Sequence, residues 1–444
     1  MKNILVIGAG RSSSSMIKYF LENAEKEDWF IRVGDMNLAL AQEKVGESSR
    51  GEAFAFNALN ATERWAELLH KDLVVSMLPA SLHVEVVKDC IKLGIHVITP
   101  SYISNEMKAL DEEAKKAGVL VMNEIGVDPG MDHMSAKKIL DEIEEQGGKM
   151  DSFESFTGGL IAPESDNNPW NYKFTWNPRN VVLAGQGGAA KFIQEGQYKY
   201  IPYHKLFRRT EIIEIDGHGK FEGYANRDSL KYRSVYGLEN IPTIYRGTLR
   251  RVGFCRAWNM FVQLGMTDDT YVLEGSENMT YRDFTNSFLA YDPHNSVEMK
   301  LRYYLNIEQD DYVWEKLEWI GLFSDTRVEL KDATPAQILQ KILEDKWSLE
   351  EEDKDMIVMW HKFTYWLNDE FKEIHSSLVY IGHDQTYTAM SDTVGLPVAI
   401  CAKMILNGTI KMTGVQLPIY KEIYEPVMKE LEDMGMKYHE KQVR

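Results

Sequence analysis

The 444-residue sequence predicts an α/β protein with an N-terminal parallel sheet, a second mixed-sheet α+β domain and an inserted helical region. Three observations lead to this prediction. Strand-like and helix-like patterns alternate over residues 1–125, a Gly-x-Gly pair follows the first strand, and the composition changes after Asn123. Alternating elements of this kind form a parallel sheet, because each connection must return across the sheet through a helix.

The first domain, residues 1–125, contains six runs rich in apolar and β-branched residues. These runs predict strands at residues 3–7, 29–34, 53–56, 72–77, 95–99 and 119–122. Helical periodicity between them is clearest at residues 13–23, 81–93 and 104–117. Because a chain of this length exceeds the size at which a single core usually keeps growing, further domains are expected.

The chain changes character after residue 125. Residues 126–266 and 356–389 are predicted to form the mixed-sheet domain, because aromatic and β-branched residues are punctuated there by Gly, Pro and Asn. Residues 267–355 predict a helical region, and we expect a helix around 390–410 to pack back on the first domain. The acidic run 350–353 is interpreted as the solvated start of a helix. Further predicted elements are helices at 134–146, 297–305, 312–320 and 392–406 and a strand at 371–383.

Charge and composition argue against several classes of partner. Lysine and arginine number 50 against 68 aspartate and glutamate, and the formal net charge of −18 repels nucleic acid and anionic membranes. The apolar runs are strand-sized, and the N-terminus lacks the apolar stretch of a signal peptide. Three separate cysteines are typical of a reducing compartment. We therefore expect a cytoplasmic protein, and the histidine spacing predicts no metal site.

A glycine-rich turn indicates a dinucleotide-binding, Rossmann-like domain. Gly8 and Gly10 directly follow the first strand and open a helix, where backbone amides and the helix N-terminus bind pyrophosphate. The third glycine of the usual motif is absent, and Arg11, Ser12 and Ser13 follow instead. The serine hydroxyls are candidate phosphate donors, with simple capping of the helix by Ser12 as the alternative.

Residues at the carboxyl ends of other strands complete the predicted cofactor site. Asp35 ends the second strand, where a carboxylate binds the ribose hydroxyls and repels a 2′-phosphate, so NAD is predicted over NADP. Arg11 and Arg32 are nearby basic residues that leave NADP open. Leu78 and Thr99 follow the fourth and fifth strands and are expected to line the nicotinamide end.

Ordered sequence blocks along almost the whole chain carry a family resemblance. The blocks are 76–79 (Ser-Met-Leu-Pro) with His83, 101–103, 126–133 (Gly-Val-Asp-Pro-Gly-Met-Asp-His), 158–164, 167–169, 172–176, 226–229 with 231–232, 246–250 (Arg-Gly-Thr-Leu-Arg), 352–356 and 393–397. On these blocks the chain resembles glutamate-forming saccharopine dehydrogenase, also called saccharopine reductase. Two positions depart from the family pattern: Thr157 stands where a Cys is frequent, and serines replace a Pro in the opening turn of the first helix.

The resemblance implies an oxidoreductase that cleaves saccharopine to glutamate and 2-aminoadipate 6-semialdehyde, or runs the reverse condensation. It implies that Asp35 and Leu78 contact the dinucleotide, and that the mixed-sheet domain binds substrate and forms a homodimer. The residues that it implies in contact with saccharopine are Ser101, Tyr102, Asp128, Arg227, Thr248, Leu249 and Arg250.

Saccharopine needs a site that binds its carboxylates and transfers protons, and several of these residues are suited to those roles. Its three carboxylates call for guanidinium groups, which bind carboxylate with two parallel hydrogen bonds and stay charged, and Arg227 and Arg250 match that role. The proton transfers need a group with a pKa near neutrality. The candidates for this catalytic role are Asp128, Tyr102, Lys173 and His133, and the sequence does not rank them.

Two alternative functions remain open at this stage. One is a related imine reductase such as carboxynorspermidine dehydrogenase, which acts on a substrate with fewer carboxylates and so needs fewer arginines. The other is a non-catalytic NAD-binding regulator that keeps the fold, because a fold alone does not prove an activity.

Overall fold

The computed structural model describes residues 1–444 and contains sixteen strands, sixteen α-helices and six short 3-10 helices. The strands, numbered in chain order, are β1 (Lys2–Ile7), β2 (Trp29–Asp35), β3 (Gly51–Ala55), β4 (Leu73–Ser76), β5 (His96–Ile98), β6 (Leu120–Met122), β7 (Lys149–Ile161), β8 (Ala190–Gln194), β9 (Gln197–Ile201), β10 (Thr210–Ile215), β11 (Gly219–Ala225), β12 (Thr243–Arg251), β13 (Asp355–Leu367), β14 (Glu370–Ile381), β15 (Gly414–Gln416) and β16 (His439–Gln442).

The helices are α1 (Ser14–Asn23), α2 (Leu38–Val45), α3 (Ala61–Leu68), α4 (His83–Leu93), α5 (Asn105–Lys108), α6 (Asp111–Ala117), α7 (Met131–Glu145), α8 (Pro178–Val182), α9 (Arg233–Tyr236), α10 (Phe254–Leu264), α11 (Tyr281–Ser287), α12 (Val297–Leu305), α13 (Tyr312–Trp319), α14 (Pro335–Trp347), α15 (Ala389–Leu406) and α16 (Lys421–Asp433).

The first sheet has seven parallel strands in the order β15-β6-β5-β4-β1-β2-β3. The predicted Rossmann-like parallel sheet is confirmed, with all six of its strands. The strand order reverses on either side of β1, and the crevice at such a reversal is where open parallel sheets bind ligands. The seventh strand, β15, comes from the C-terminal part of the chain. Its residues, Gly-Val-Gln, include a single apolar side chain and show no strand-like run, so the sequence did not predict it.

Helix α15 packs against the first domain, as the sequence analysis expected for a helix near 390–410. The Ser15 hydroxyl donates to the Ser391 hydroxyl over 2.9 Å, and the Ser391 oxygen also accepts from the Ser15 amide. A Cβ on Gly395 would lie 3.0 Å from the Cβ of Met16, so the glycine permits the close approach. α15 is long and apolar enough to cross a membrane, but 78% of it is buried inside the protein, as in a core helix.

The second sheet is mixed, as predicted. Its main path is β10-β11-β12-β7-β13-β14-β16, with β8 paired to β12 and β9 paired to β8. β12 and β7 run parallel, and the other neighbours on the path are antiparallel. Four buried aromatic side chains in its core are Phe156, Trp170, Tyr245 and Phe254. Helices α11 to α14 follow as the predicted helical region.

Several details of the sequence prediction are wrong. Helix α7 begins at Met131 rather than residue 134, which places Asp132 and His133 in its first turn. The predicted helix 104–117 is two short helices. The run 350–353 is a turn instead of a helix start, because Asp353 is buried beside Lys173.

Candidate functional site

The glycine turn after β1 leaves an open cradle at the start of α1. Gly8 has φ +105°, and a Cβ there would lie 3.1 Å from the Met77 carbonyl oxygen, so a side chain would be strained. A Cβ on Gly10 would meet nothing within 4 Å. The amides of Gly10, Arg11 and Ser12 donate no hydrogen bond within the protein. Free amides at a helix start are the donors that a pyrophosphate requires, so the cradle fits a dinucleotide.

The predicted serine donors differ in what they offer. The Ser13 hydroxyl donates to the Gly10 carbonyl over 2.7 Å, so its proton is already committed. The Ser12 side chain has no partner and does not cap the helix. Of the two predicted serines, only Ser12 therefore keeps a free hydroxyl donor at the cradle.

Asp35 is held at the end of β2 beside the glycine turn. Its Oδ2 accepts from the Ala9 amide over 2.7 Å, and its Oδ1 accepts from the Asn37 amide over 2.8 Å. Arg32 points elsewhere, since it pairs with Glu52 and Glu67. The carboxylate thus stands at the predicted ribose position without a neighbouring guanidinium partner.

A buried histidine joins the ends of β4 and β5. The His83 ring hydrogen-bonds with the Ser76 hydroxyl at Nδ1 and with the Ser101 hydroxyl at Nε2, both over 2.8 Å. Thr99 lies 3.2 Å from the same Nε2, so its hydroxyl is used inside this cluster. Burial lowers the pKa of His83 to about 4, which keeps the ring neutral. Leu78 lies half-buried on the loop that follows β4.

Tyr102 and Asp128 meet across the turn that follows β6. The Tyr102 hydroxyl donates to Asp128 Oδ1 over 2.9 Å, and one Arg246 nitrogen donates to the same oxygen over 2.8 Å. That nitrogen also donates to Asp132 Oδ2 over 2.5 Å. Gly130 closes the turn, because a Cβ there would collide with the backbone of Gly126.

The surroundings of Asp128 and Asp132 shift the pKa values of these two carboxyl groups in opposite directions. Burial, and then the charge of Asp132, raise the pKa of Asp128. Burial opposes ionisation of Asp132 too, but His133 and Arg246 hold the pKa of Asp132 below its usual value. Burial and the Asp128 charge raise the pKa of Tyr102. Neighbouring carboxyl groups with divergent pKa values are the arrangement that acid–base catalysis uses.

His133 lies behind this group and does not reach open space. Its Nε2 hydrogen-bonds with Glu124 over 2.8 Å and its Nδ1 with the Tyr236 hydroxyl over 2.6 Å, and the ring is fully buried. The other Glu124 oxygen accepts from the Ile103 amide over 2.9 Å. His133 therefore holds Glu124, and Glu124 in turn holds the loop that carries Tyr102. The buried His133 ring is not placed to touch a substrate.

Lys173 forms a buried ion pair with Asp353. Its ammonium donates to Asp353 over 2.5 Å, and both side chains are buried. Asp353 in turn accepts from the Glu350 amide. The contacts of Lys173 thus hold the 350–353 turn and do not include Tyr102 or Asp128.

One face of β12 carries three polar side chains in a row. Side chains alternate along a strand, so Arg246, Thr248 and Arg250 share a face, with about 13 Å between the first and the last. Leu249 points to the other face and is fully buried, so it offers only its backbone. Arg246 stands four residues before the predicted Arg250, in the same block, and that spacing is the signal that sequence reasoning missed.

Arg250 is a buried cation without an acidic partner. Its guanidinium lies 5.2 Å from the Tyr172 ring and 5.5 Å from the Phe254 ring. Its guanidinium donates a hydrogen bond to the Leu249 carbonyl, and its Nε donates none. Nearby hydroxyls of Tyr172 and Thr157 are buried without a partner as well. Because buried charges and polar groups are normally paired, this face is built for a polar, anionic ligand.

Arg227 lies on the exposed loop after β11. The Asn226 amide beside it donates to the Arg246 carbonyl, which places the loop next to β12. The guanidinium makes no hydrogen bond or ion pair. The glycine turn approaches the same side of the second domain, because Arg11 donates to the Phe174 carbonyl over 3.5 Å. No cluster of three metal-ligating side chains occurs in the protein.

A parallel sheet with an open dinucleotide cradle, facing an acid–tyrosine pair and an unpaired guanidinium, defines a nicotinamide-dependent oxidoreductase. Two family models match the chain: the saccharopine dehydrogenase NADP binding domain over residues 4–122 and the saccharopine dehydrogenase C-terminal domain over residues 126–436. The chain belongs to the saccharopine dehydrogenase family.

Named relatives match the chain over its whole length. Saccharopine dehydrogenase [NADP(+), L-glutamate-forming] of Saccharomyces cerevisiae is 34% identical, with 97% of each chain covered. The mitochondrial alpha-aminoadipic semialdehyde synthase of Bos taurus is 32% identical over 98% of this chain, which spans 47% of that longer protein. The solved apo structure of the Saccharomyces cerevisiae enzyme superposes with a TM-score of 0.89 at 33% identity, covering 100% of both chains.

Proposed function

We propose that this protein catalyses the dinucleotide-dependent oxidative cleavage of saccharopine to L-glutamate and 2-aminoadipate 6-semialdehyde, or the reverse condensation, in lysine metabolism. Membership of the saccharopine dehydrogenase family and the names of its full-length relatives support this assignment. The observation that carries it is the buried guanidinium of Arg250, which has no acidic partner in the protein and is free to pair with a substrate carboxylate.

Each residue of the site has a separate role in the proposed reaction. The bound dinucleotide supplies the hydride acceptor. Asp128, with its raised pKa, receives the proton of the secondary ammonium, while Tyr102 holds the Asp128 carboxylate in place through its hydroxyl. Arg250 and the exposed Arg227 bind carboxylates of the substrate, and Ser101, oriented by His83, offers a hydroxyl. Thr248 lies between Arg246 and Arg250 on the same face of the strand.

The choice between the two dinucleotides is a separate proposal. The family model and the yeast relative are named for NADP. In this chain the Asp35 carboxylate stands at the end of β2, and Arg32 is engaged by two glutamates. A carboxylate at this point repels a 2′-phosphate, so we propose that this protein prefers NAD and accepts NADP less well.

We also propose the oligomeric state, the partners and the cellular location of the protein. A homodimer is supported by exposed apolar side chains, Tyr198 and Tyr200 on β9 and Ile212 on the outer strand β10, and light scattering on the purified protein tests it. The net charge of −18 favours small-molecule substrates over nucleic acid and membrane partners. Three free, buried cysteines are consistent with the reducing conditions of the cytoplasm.

The reaction is tested by mixing the purified protein with saccharopine and NAD or NADP and following absorbance at 340 nm. We expect a rise with saccharopine that depends on the protein. Absence of any rise with both dinucleotides rejects the proposed reaction. The imine-reductase and non-catalytic alternatives are not favoured, because the relatives matched over the full length of the chain are saccharopine enzymes.

A further inference from the structure

The ammonium of Lys231 lies at the mouth of the site and has no acidic partner. Its Nζ is 4.9 Å from the centre of the Tyr102 ring and 4.7 Å from that of the Tyr232 ring. Lys231 makes no ion pair or hydrogen bond, and its side chain is partly open to solvent and partly covered by the two rings. The ammonium is thus held against two aromatic walls, one of which carries the hydroxyl that bonds to Asp128.

Glu124 and Asp228 attract the Lys231 ammonium, Lys108 and Arg246 repel it, and no carboxylate forms an ion pair with it. Arg246, which stacks over the same Tyr232 ring at 4.1 Å, is already paired with Asp128 and Asp132 and repels the ammonium. Partial burial, followed by the Arg246 charge, lowers the pKa of Lys231, although Glu124 opposes the shift. The carboxylates of Asp128 and Asp132 are bonded to Arg246, that of Glu124 to His133, and that of Asp228 is paired with Lys191. A further anion beside Lys231 would therefore be attracted without displacing an internal ion pair.

We propose that Lys231 binds a carboxylate of the substrate at the Tyr102 end of the site. The inference rests on the proposed function and deepens it. Arg250 lies about 13 Å along β12 from Arg246, so Arg250 and Lys231 serve opposite ends of an extended substrate. With Arg227 beside them, three cations without acidic partners border a site whose substrate carries three carboxylates.

The experiment compares Lys231→Met with wild type in steady-state kinetics with saccharopine. We expect the KM for saccharopine to rise roughly tenfold or more, because a charge-assisted hydrogen bond is lost. The kcat should change less than about threefold, and the dissociation constant of the dinucleotide should stay unchanged by fluorescence titration. Lys231→Arg keeps the charge and should restore most of the affinity. Arg233→Met is the matched control, because Arg233 contacts Tyr198 outside the site.

Each outcome decides the matter. A raised KM in Lys231→Met, rescued by Lys231→Arg and absent from the control, supports the carboxylate contact. An unchanged KM overturns it. A fall in kcat with unchanged KM also overturns it, because the ammonium would then act on Tyr102 rather than on the substrate. An inactive wild type rejects the proposed function itself and this inference with it, whereas an active wild type with an unaffected Lys231→Met variant rejects only the role of Lys231.

Discussion

The hydroxyl of Tyr102 and the carboxylate of Asp128 share a hydrogen bond of 2.9 Å although 26 residues separate them in the chain. The bond joins the loop after β5 to the turn after β6. Arg246, from β12 in the second sheet, donates to the same oxygen of Asp128. The proposed acid–base group therefore draws on residues of both sheets, at the carboxyl edge of the first.

Replacing Asp128 with Asn removes the proposed proton acceptor at nearly constant volume. We expect kcat to fall roughly 10²- to 10⁴-fold, the usual contribution of a positioned acid–base group. Dinucleotide affinity, measured by fluorescence, should not change. Activity within a few-fold of wild type would rule out Asp128 as the acceptor.

The raised pKa of Asp128 also sets a pH dependence for the oxidative direction. The carboxyl group must be ionised to accept a proton, so kcat/KM for saccharopine should fall as pH falls through the pKa of Asp128. Burial and the charge of Asp132 place that limb above the ordinary aspartate value of 3.8. Measured pH–rate profiles should show this acid limb in wild type and lose it in Asp128→Asn.

Replacing Arg250 with Met keeps the bulk of the side chain between the aromatic rings and removes its charge. We expect the KM for saccharopine to rise at least about tenfold, with dinucleotide binding intact. Arg250→Lys should rescue poorly, because an ammonium cannot make the two parallel bonds of a guanidinium. Arg251→Met is the control, since Arg251 lies on the opposite face of β12 against Phe221. Equal KM values for both Met variants would contradict a substrate contact at Arg250.

Replacing Asp35 with Asn tests the dinucleotide preference. The amide oxygen keeps one acceptor for the Ala9 amide, while the negative charge that repels a 2′-phosphate is removed. Fluorescence titrations should show NADPH binding about tenfold more tightly than in wild type and NADH more weakly. Glu43→Gln, a surface charge change beside Lys44, should alter neither value. Wild-type protein that already binds NADPH better than NADH would refute the proposed preference.

Buried histidines make the stability of the protein depend on pH. Burial lowers the pKa of His361 and of His83 to about 4, below the ordinary 6.5, so the unfolded chain binds more protons between these values. The contribution of these two histidines to the free energy of unfolding is fully present above pH 6.5 and is lost as the pH falls towards 4. Each group contributes of the order of 3 kcal/mol across that range.

The His361→Phe variant isolates one of these contributions. Its free energy of unfolding should fall less than that of wild type between pH 7.5 and 5 in urea titrations, because a phenyl ring binds no proton. His204→Gln, at an exposed position, should keep the wild-type slope. An identical slope in His361→Phe would mean that this histidine is not kept neutral by the fold.

Much of the fold follows from local sequence. The six first-domain strands and the glycine turn were predictable because the period of apolar residues and the need for Gly8 and Gly10 are local properties. The family resemblance also predicted Tyr102, Asp128 and Arg250 as site residues, which the experiments above test. The three-residue strand β15 and the turn at 350–353 were not predictable, because pairing with β6 and the buried Lys173–Asp353 ion pair determine them.

By itself, the sequence determined the class of fold, the dinucleotide turn and the family. Only the tertiary structure decided how the site residues divide their work: His133 and Lys173 are held by buried partners, while Lys231 and Arg250 are left without acidic partners. The physical reason is distance along the chain. Whether a charge is paired or free depends on side chains more than 100 residues away, as in the contact between Arg246 and Asp132, and no local pattern encodes such a contact.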